Sequence, residues 1–260
     1  MHSQIIHFLA IDSLNLGKAD KASFSDQTLM ELFTEPMSCT QTALVGSSLV
    51  VRDWRGVDVN SDGDVISILW TDFGISGALK LEYLPLHVEI VDVDSNYLAG
   101  TIDLSDLPLP LKALNASKNR LIGTILLCEL PCGLELLDLS ENALSGMLHL
   151  EELPTSLKDL YLSNNNFSGD VSLVRLPETL ETLDVSHNSL SGSLDLTKLP
   201  SVLTALFLFS NNFEGETDFD QLPTGIQVLD VSNTLLVGTV NIRKYSQTYV
   251  VRNKSGVYIA

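Results

Sequence analysis

The sequence predicts a solenoid of stacked strand-and-turn units with a cap at each end. Three observations predict it: a 23-residue period kept without insertion over eight units, seven apolar positions recurring inside each unit, and one glycine at the same place in all eight. With Val65, Val88, Leu111, Leu134, Leu157, Leu180, Leu203 and Ile226 as position 1, positions 1, 4, 6, 11, 15, 17 and 20 are apolar in 55 of 56 cases. Thr217 is the exception. The whole chain is only 45% apolar, so composition alone does not produce this pattern.

Each element of the unit has a physical reading. Positions 4 and 6 point one way while 3, 5 and 7 point the other, the mark of a short strand with one buried and one solvated face. Position 9 carries Asn96, Asn119, Asn142, Asn165, Asn188 and Asn211. A carboxamide accepts and donates at once, so a stacked column of asparagines satisfies backbone groups where the chain turns away from the strand. Position 13 is glycine from Gly77 to Gly238, a backbone geometry or close approach that a Cβ would obstruct. Position 21 is proline in seven units, from Pro85 to Pro223, and ends the far side of the unit. Both are read as turn chemistry. A lone unit is too small to bury its own apolar face, so neighbours must share one core and ladder their strands into a sheet along one side.

Composition narrows the function. At 260 residues and a formal charge of −18, the chain lacks the basic footprint that nucleic acid and anionic membrane surfaces require, and basic ligands are drawn in instead. Three cysteines, Cys39, Cys128 and Cys132, cannot frame a disulfide-held fold. Cys128 and Cys132 lack the second Cys/His pair that a zinc site needs. The N-terminal MHSQIIHFLAIDS has no basic n-region and no clear cleavage site, so it reads poorly as a signal peptide, and no apolar segment is long enough to span a bilayer. The compartment stays open, with a lean toward the cytoplasm.

The stretches LDLSENALSG, LYLSNNNFSG and LDVSHNSLSG resemble the LxxLxLxxNxLxG signature of leucine-rich repeats, and the Leu-Ser-Gly ending resembles the plant-type subclass. With LDLTKLP-like tails, the units are most similar to repeats of kinetoplastid protists. The resemblance covers residues 65 to about 246. It implies an α/β right-handed superhelix or horseshoe, helix-poor on the convex side, with a parallel sheet on the concave side. VVRDWRGVDVN resembles the plant-type cap pattern CxWxGVxC, with Trp54, Gly56 and Val57 matching and Arg52 and Val59 in place of the cysteines. That implies a cap packed without its disulfide.

The organisation expected is an N-terminal segment 1–22, an N-terminal cap 23–64, eight repeats over 65–246 and C-terminal cap strands 247–260. In the cap, SFSDQTLMELFTEP puts Leu29, Leu32 and Phe33 on one helical face, with Ser25 or Asp26 as N-cap and Pro36 as the stop. At Asp58–Asp64, DVNSDGD mimics a calcium loop, but its twelfth position is Leu69 and its flanks read as strands. It is therefore read as a turn between strands, with no metal and no cofactor expected.

Function must lie in what the core does not use. Position 5 reads Leu69, Asp92, Asn115, Asp138, Tyr161, Asp184, Phe207 and Asp230, with aspartate in every second unit. Spacing like charges two units apart limits their repulsion, although pairwise duplication would give the same pattern. Phe207 and Phe209 should both project from the concave face, with Tyr161 two units away, and exposed aromatics mark recognition sites. Packing against each other or under the C-terminal cap would explain the phenylalanines equally. The reading is a non-enzymatic module that binds a protein or peptide, basic in character, through Tyr161, Asp184, Phe207, Phe209 and Asp230.

A cell-surface structural or adhesion ectodomain is the alternative, permitted by the sequons at Asn115, Asn166 and Asn253. No nucleotide, zinc-protease or nucleophile-elbow motif is present, and the histidines are scattered.

Overall fold

The computed structural model describes residues 21–38, 48–241, 249–251 and 254–259. Residues 1–20 with His2 and His7, together with Cys39, Ser246 and Asn253, lie outside the described residues. The chain winds as a helix-poor solenoid whose turns build two sheets, each of ten strands among the described residues.

The concave sheet uses positions 3 to 5 of each unit, as in Leu136–Asp138, Asp159–Tyr161, Thr182–Asp184 and Ala205–Phe207. Its parallel register equals the sequence period: Leu137 pairs with Leu160, Leu160 with Leu183, and Leu183 with Leu206. Equal positions therefore stand in straight rows across the sheet. The pleat sends position 4 inward, and Leu137, Leu160, Leu183 and Leu206 are fully buried. Every one of the seven apolar positions is buried among the described residues except Leu199, which is half-buried.

A second sheet adds to what the sequence predicted. Arg120–Gly123, Ala143–Gly146, Asn166–Asp170 and Ser189–Gly192 also pair in parallel. Their register is 21 residues, Ser145 against Asn166 and Gly169 against Leu190, so rows here run diagonally across the units. Only one residue per strand, such as Leu144 or Phe167, points inward. One apolar residue flanked by Ser, Asn and Gly is too short a period-2 signal to read as a strand. The position-13 glycines of these strands lie within them, at the last residue or the one before it, instead of forming a loop. Gly123, Gly146 and Gly192 have φ of 91°, 98° and 84°, and a Cβ on Gly146 would lie 2.7 Å from Thr124 Cγ2. Both the dihedral and the space select glycine.

Asparagine stitches the corner between the sheets. Asn165 Nδ2 donates to Leu139 O at 2.9 Å in the preceding unit and to Leu162 O and Ser163 O at 3.2 Å in its own. Its Oδ1 accepts from Leu144 N at 3.0 Å. The same set recurs at Asn96, Asn119, Asn142, Asn188 and Asn211. In the last unit Thr234 substitutes a single donation, Oγ1 to Val231 O at 2.7 Å. On the far side, each proline carbonyl accepts from the first residue of the next unit, as Pro154 O does from Leu157 N at 3.1 Å.

The N-terminal end is closed by antiparallel pairing. Val57–Val59 pairs with Val65–Leu69, and Met37–Ser38 with Ser76–Ala78. The helix Asp26–Thr34, N-capped by Ser25, buries Leu29, Met30 and Phe33. Met30 takes the inward place assigned to Leu32, because Asp26, Leu29, Met30 and Phe33 share one face at helical spacing. Phe33 stacks on Trp70 with centroids 5.9 Å apart, and the Asp26 carboxylate accepts from Val65 N at 2.6 Å.

The calcium-like stretch is a hairpin turn in which Asn60 Oδ1 accepts from Asp62 N and Asp64 N. At the other end, Tyr249–Val251 and Gly256–Ile259 extend both sheets in parallel as a ninth turn. Val257 is buried in the usual place, and Ile259 stands where other turns carry glycine.

Two substitutions test these assignments. Asn165→Ala leaves several buried backbone groups unpaired and is expected to cost about 2–4 kcal/mol, read as a fall in the denaturation midpoint. Thr217 is the one polar residue in the apolar pattern, 3% exposed, and its Oγ1 has no hydrogen-bond partner among the described residues. Thr217→Val keeps the shape and removes the unpaired hydroxyl, so it is expected to stabilise by about 1 kcal/mol in the same measurement.

Candidate partner-binding face

Straight register turns position 5 into a single row on the solvent side of the concave sheet. Strand pairing places Leu69, Asp92, Asn115, Asp138, Tyr161, Asp184, Phe207 and Asp230 directly side by side in that order. Asp92, Asp138, Tyr161, Asp184, Phe207 and Asp230 are all half-buried, so each presents part of its side chain to solvent. Leu206 and Leu183 lie beneath, fully buried. Tyr161, Asp184, Phe207 and Asp230 thus form four consecutive members of one row.

Phe209 lies two residues beyond the end of the strand Ala205–Phe207 and is half-buried. Its ring meets the edge of His187 at 4.8 Å between centroids and 81° between planes. His187 belongs to the preceding unit and its backbone N donates to Phe209 O at 2.9 Å. Aligning units by position does not reveal this neighbour, because past the strand the ladder joins position 8 of one unit to position 7 of the next. The phenylalanines are therefore not packed on each other alone: Phe207 sits between two aspartates and Phe209 against an exposed histidine.

The aspartates have a structural task that the sequence reading missed. Asp184 Oδ1 accepts from Ser186 N at 2.9 Å and from Ser186 Oγ at 2.6 Å. Asp138 does the same with Ser140, and Asp92 and Asp230 accept from the backbone N of Asp94 and Ser232. Asn115 makes the equivalent bond to Ser117 N at 3.1 Å. The Asp-x-Ser and Asn-x-Ser triplets were the available signal for this turn. One carboxylate oxygen is thereby fixed toward the backbone, and Oδ2 of Asp138, Asp184 and Asp230 has no hydrogen bond among the described residues.

The electrostatics of the face follow from this packing. Burial raises the Asp138 carboxyl above its ordinary range, against the opposing pull of its Ser140 bonds, with Asp94 adding to the rise. Burial also raises the Tyr161 phenol, helped by the charges of Asp159, Asp138 and Asp184, so Tyr161 remains a hydrogen-bond donor. Beside this row, position 2 alternates in sign: Lys112 Nζ reaches Glu89 at 2.5 Å and Lys158 Nζ reaches Glu135 at 2.6 Å. Lys118 approaches Asp94 at 4.0 Å.

Of the sequons, Asn166 is exposed on the second sheet, while Asn115 is half-buried in the position-5 row with its Oδ1 engaged. Among the described residues no three His, Cys, Asp or Glu side chains gather as metal ligands, and no helix is long and apolar enough to cross a membrane.

Two stacked sheets, a position-9 asparagine column and one shared core define a parallel solenoid repeat protein. A family model described as Leucine Rich Repeat matches residues 156–174 and 179–199. The crystal structure of PEPR1-AtPEP1 superposes with a TM-score of 0.66 at 22% identity, covering 90% of this chain and 42% of that one. The Arabidopsis receptor kinase HAESA, in complex with the peptide hormone IDA and the co-receptor SERK1, gives 0.51 at 21% identity over 83% and 47%. A plant ice-binding protein gives 0.58 at 21% identity over 90% and 94%. The chain thus spans less than half of the first two. No curated protein matches it significantly in sequence. The fold is that of the leucine-rich-repeat solenoid.

The raised Asp138 carboxyl sets the sign of a pH effect. Its folded-state value lies above the unfolded one, so the stability this carboxyl contributes is greatest below the ordinary carboxylate range and is lost as pH rises through the raised value. Asp138→Asn copies the side chain already used at Asn115 and keeps the turn bond. Thermal melts are expected to show the variant more stable than the parent at pH 7 and equal to it at pH 3.

Proposed function

We propose that this protein is a non-enzymatic recognition module that binds a protein or peptide partner on the concave face, with Tyr161, Phe207 and Phe209 as anchors and Asp184 and Asp230 selecting basic groups. The observation that carries this reading is the row Tyr161–Asp184–Phe207–Asp230, in which partly exposed aromatics alternate with carboxylates that each keep one oxygen free. Aromatic anchors beside charged selectors are the usual make-up of a binding hot spot. The peptide-hormone complex of HAESA supports a peptide as the class of partner.

The face suits recognition better than catalysis. Its carboxylates are held by backbone amides in a fixed orientation, and the exposed His187 stands edge-on to the Phe209 ring. A rigid surface of this kind binds without a large ordering cost.

Phe207→Ala combined with Phe209→Ala tests the reading. Both rings lie outside the core, so the thermal midpoint is expected to move by no more than a few degrees, while affinity for a partner captured from native extract falls at least about tenfold. A marked loss of stability with capture unchanged would make them packing residues and would refute the site.

A further inference from the structure

The spacing of the aspartate row specifies the shape of a ligand as well as its charge. Neighbouring strands of a sheet stand about 4.7–4.9 Å apart, so carboxylates in every second unit recur at about 9.4–9.8 Å. Asp92, Asp138, Asp184 and Asp230 keep this pitch over the whole row, because strict register puts one strand between each pair. Their side chains are also set alike: each gives an oxygen to the backbone N two residues on, at 2.9 or 3.0 Å. The row is therefore a ruler with four fixed marks, laid at right angles to the strands.

Few peptide conformations match that ruler. An extended strand returns a side chain to the same face every two residues, about 6.6–6.8 Å, which falls out of step at the first interval. An α-helix returns one every seven residues at about 10.5 Å, which overshoots by about 2–3 Å across the row. A polyproline II helix has three residues per turn and rises about 3.1 Å per residue, so every third side chain lies on one face at about 9.3 Å. Over three intervals it spans about 28 Å, against about 28–29 Å for the row. The residues between the marks fit as well. Tyr161 lies midway between Asp138 and Asp184, and Phe207 midway between Asp184 and Asp230. Aromatic platforms spaced along a groove are what prolines of such a helix pack on.

Resting on the recognition reading above, we propose that the position-5 row binds a peptide in the polyproline II conformation with Arg or Lys at every third residue, the cations on the aspartates and prolines on Tyr161 and Phe207. Charge complementarity selects the cations, and the fixed pitch selects the helix. Lys118, near Asp94, partly neutralises the Asp138 end, so Asp184 and Asp230 contribute most.

A synthetic peptide of four Pro-Pro-Arg triplets is the probe, titrated by calorimetry or fluorescence anisotropy against the whole chain. Its affinity is expected to exceed at least tenfold that of a peptide of equal composition with its four arginines clustered at one end. It is also expected to exceed that of an alanine-based helix with arginine every seven residues. The double variant Asp184→Asn, Asp230→Asn keeps the turn bonds, as Asn115 shows, and is expected to lose at least tenfold for the triplet peptide with the thermal midpoint maintained.

Equal binding of the spaced and clustered peptides would reduce the row to a diffuse acidic surface and overturn the proposal, as would preference for the heptad helix. If the triplet peptide fails while a natural partner still binds in a Phe207- and Phe209-dependent manner, the peptide geometry is wrong and the recognition reading stands. If neither binds through the row, both fall.

Discussion

The corner between the two sheets is the constraint on which the architecture depends. At position 8 the chain must enter left-handed geometry in every unit, with φ between 50° and 56° at Asp72, Ser95, Lys118, Glu141, Asn164, His187, Ser210 and Asn233. Residues as different as lysine, glutamate and histidine occupy it, so no side-chain preference creates the bend. Each such residue costs about 1–2 kcal/mol. In the six units from Asn96 to Asn211 the asparagine that follows offsets this by accepting one backbone N–H and donating to three carbonyls, one of them in the preceding unit, as Asn142 does. An isolated unit lacks that neighbour, which makes the bend a consequence of stacking.

This explains which parts of the fold were legible in the sequence. Leu137, Leu160 and Leu183 are buried because their position recurs every 23 residues, and recurrence is visible without coordinates. The second sheet was hidden because most of its strands bury a single residue and pair with a 21-residue offset that no repeat alignment displays. The ninth turn was hidden for a related reason. Val250 and Val251 align with the concave strands only once the eighth unit is allowed to be shorter than its predecessors, and the strict period forbids that. Met30 replaced Leu32 in the cap because neighbouring apolar residues on a short helix differ by a rotation that packing, not periodicity, decides.

For the candidate face, the row itself could be read from the sequence, but its chemistry only in part. Position 5 was bound to form a row once the period was known. The second role of its aspartates is not legible from charge, because one carboxylate both carries the charge and accepts the turn N–H. Asp138 and Asp184 both hold a serine two residues on, and Asn115 performs the same task without charge. Since asparagine is sufficient for the turn, the fold alone does not require aspartate at the other four units.

That distinction separates structure from function at a single position. Where position 5 is Asp or Asn its oxygen accepts the turn N–H, and the core needs nothing there. Tyr161 and Phe207 make no such turn bond, yet their strands keep the same register as their neighbours. The row therefore tolerates aspartate, asparagine, tyrosine and phenylalanine with equal backbone geometry. Its identity is free to vary while its pitch is fixed, and a surface with fixed pitch and free chemistry can acquire a specific partner without disturbing the core that sets its spacing.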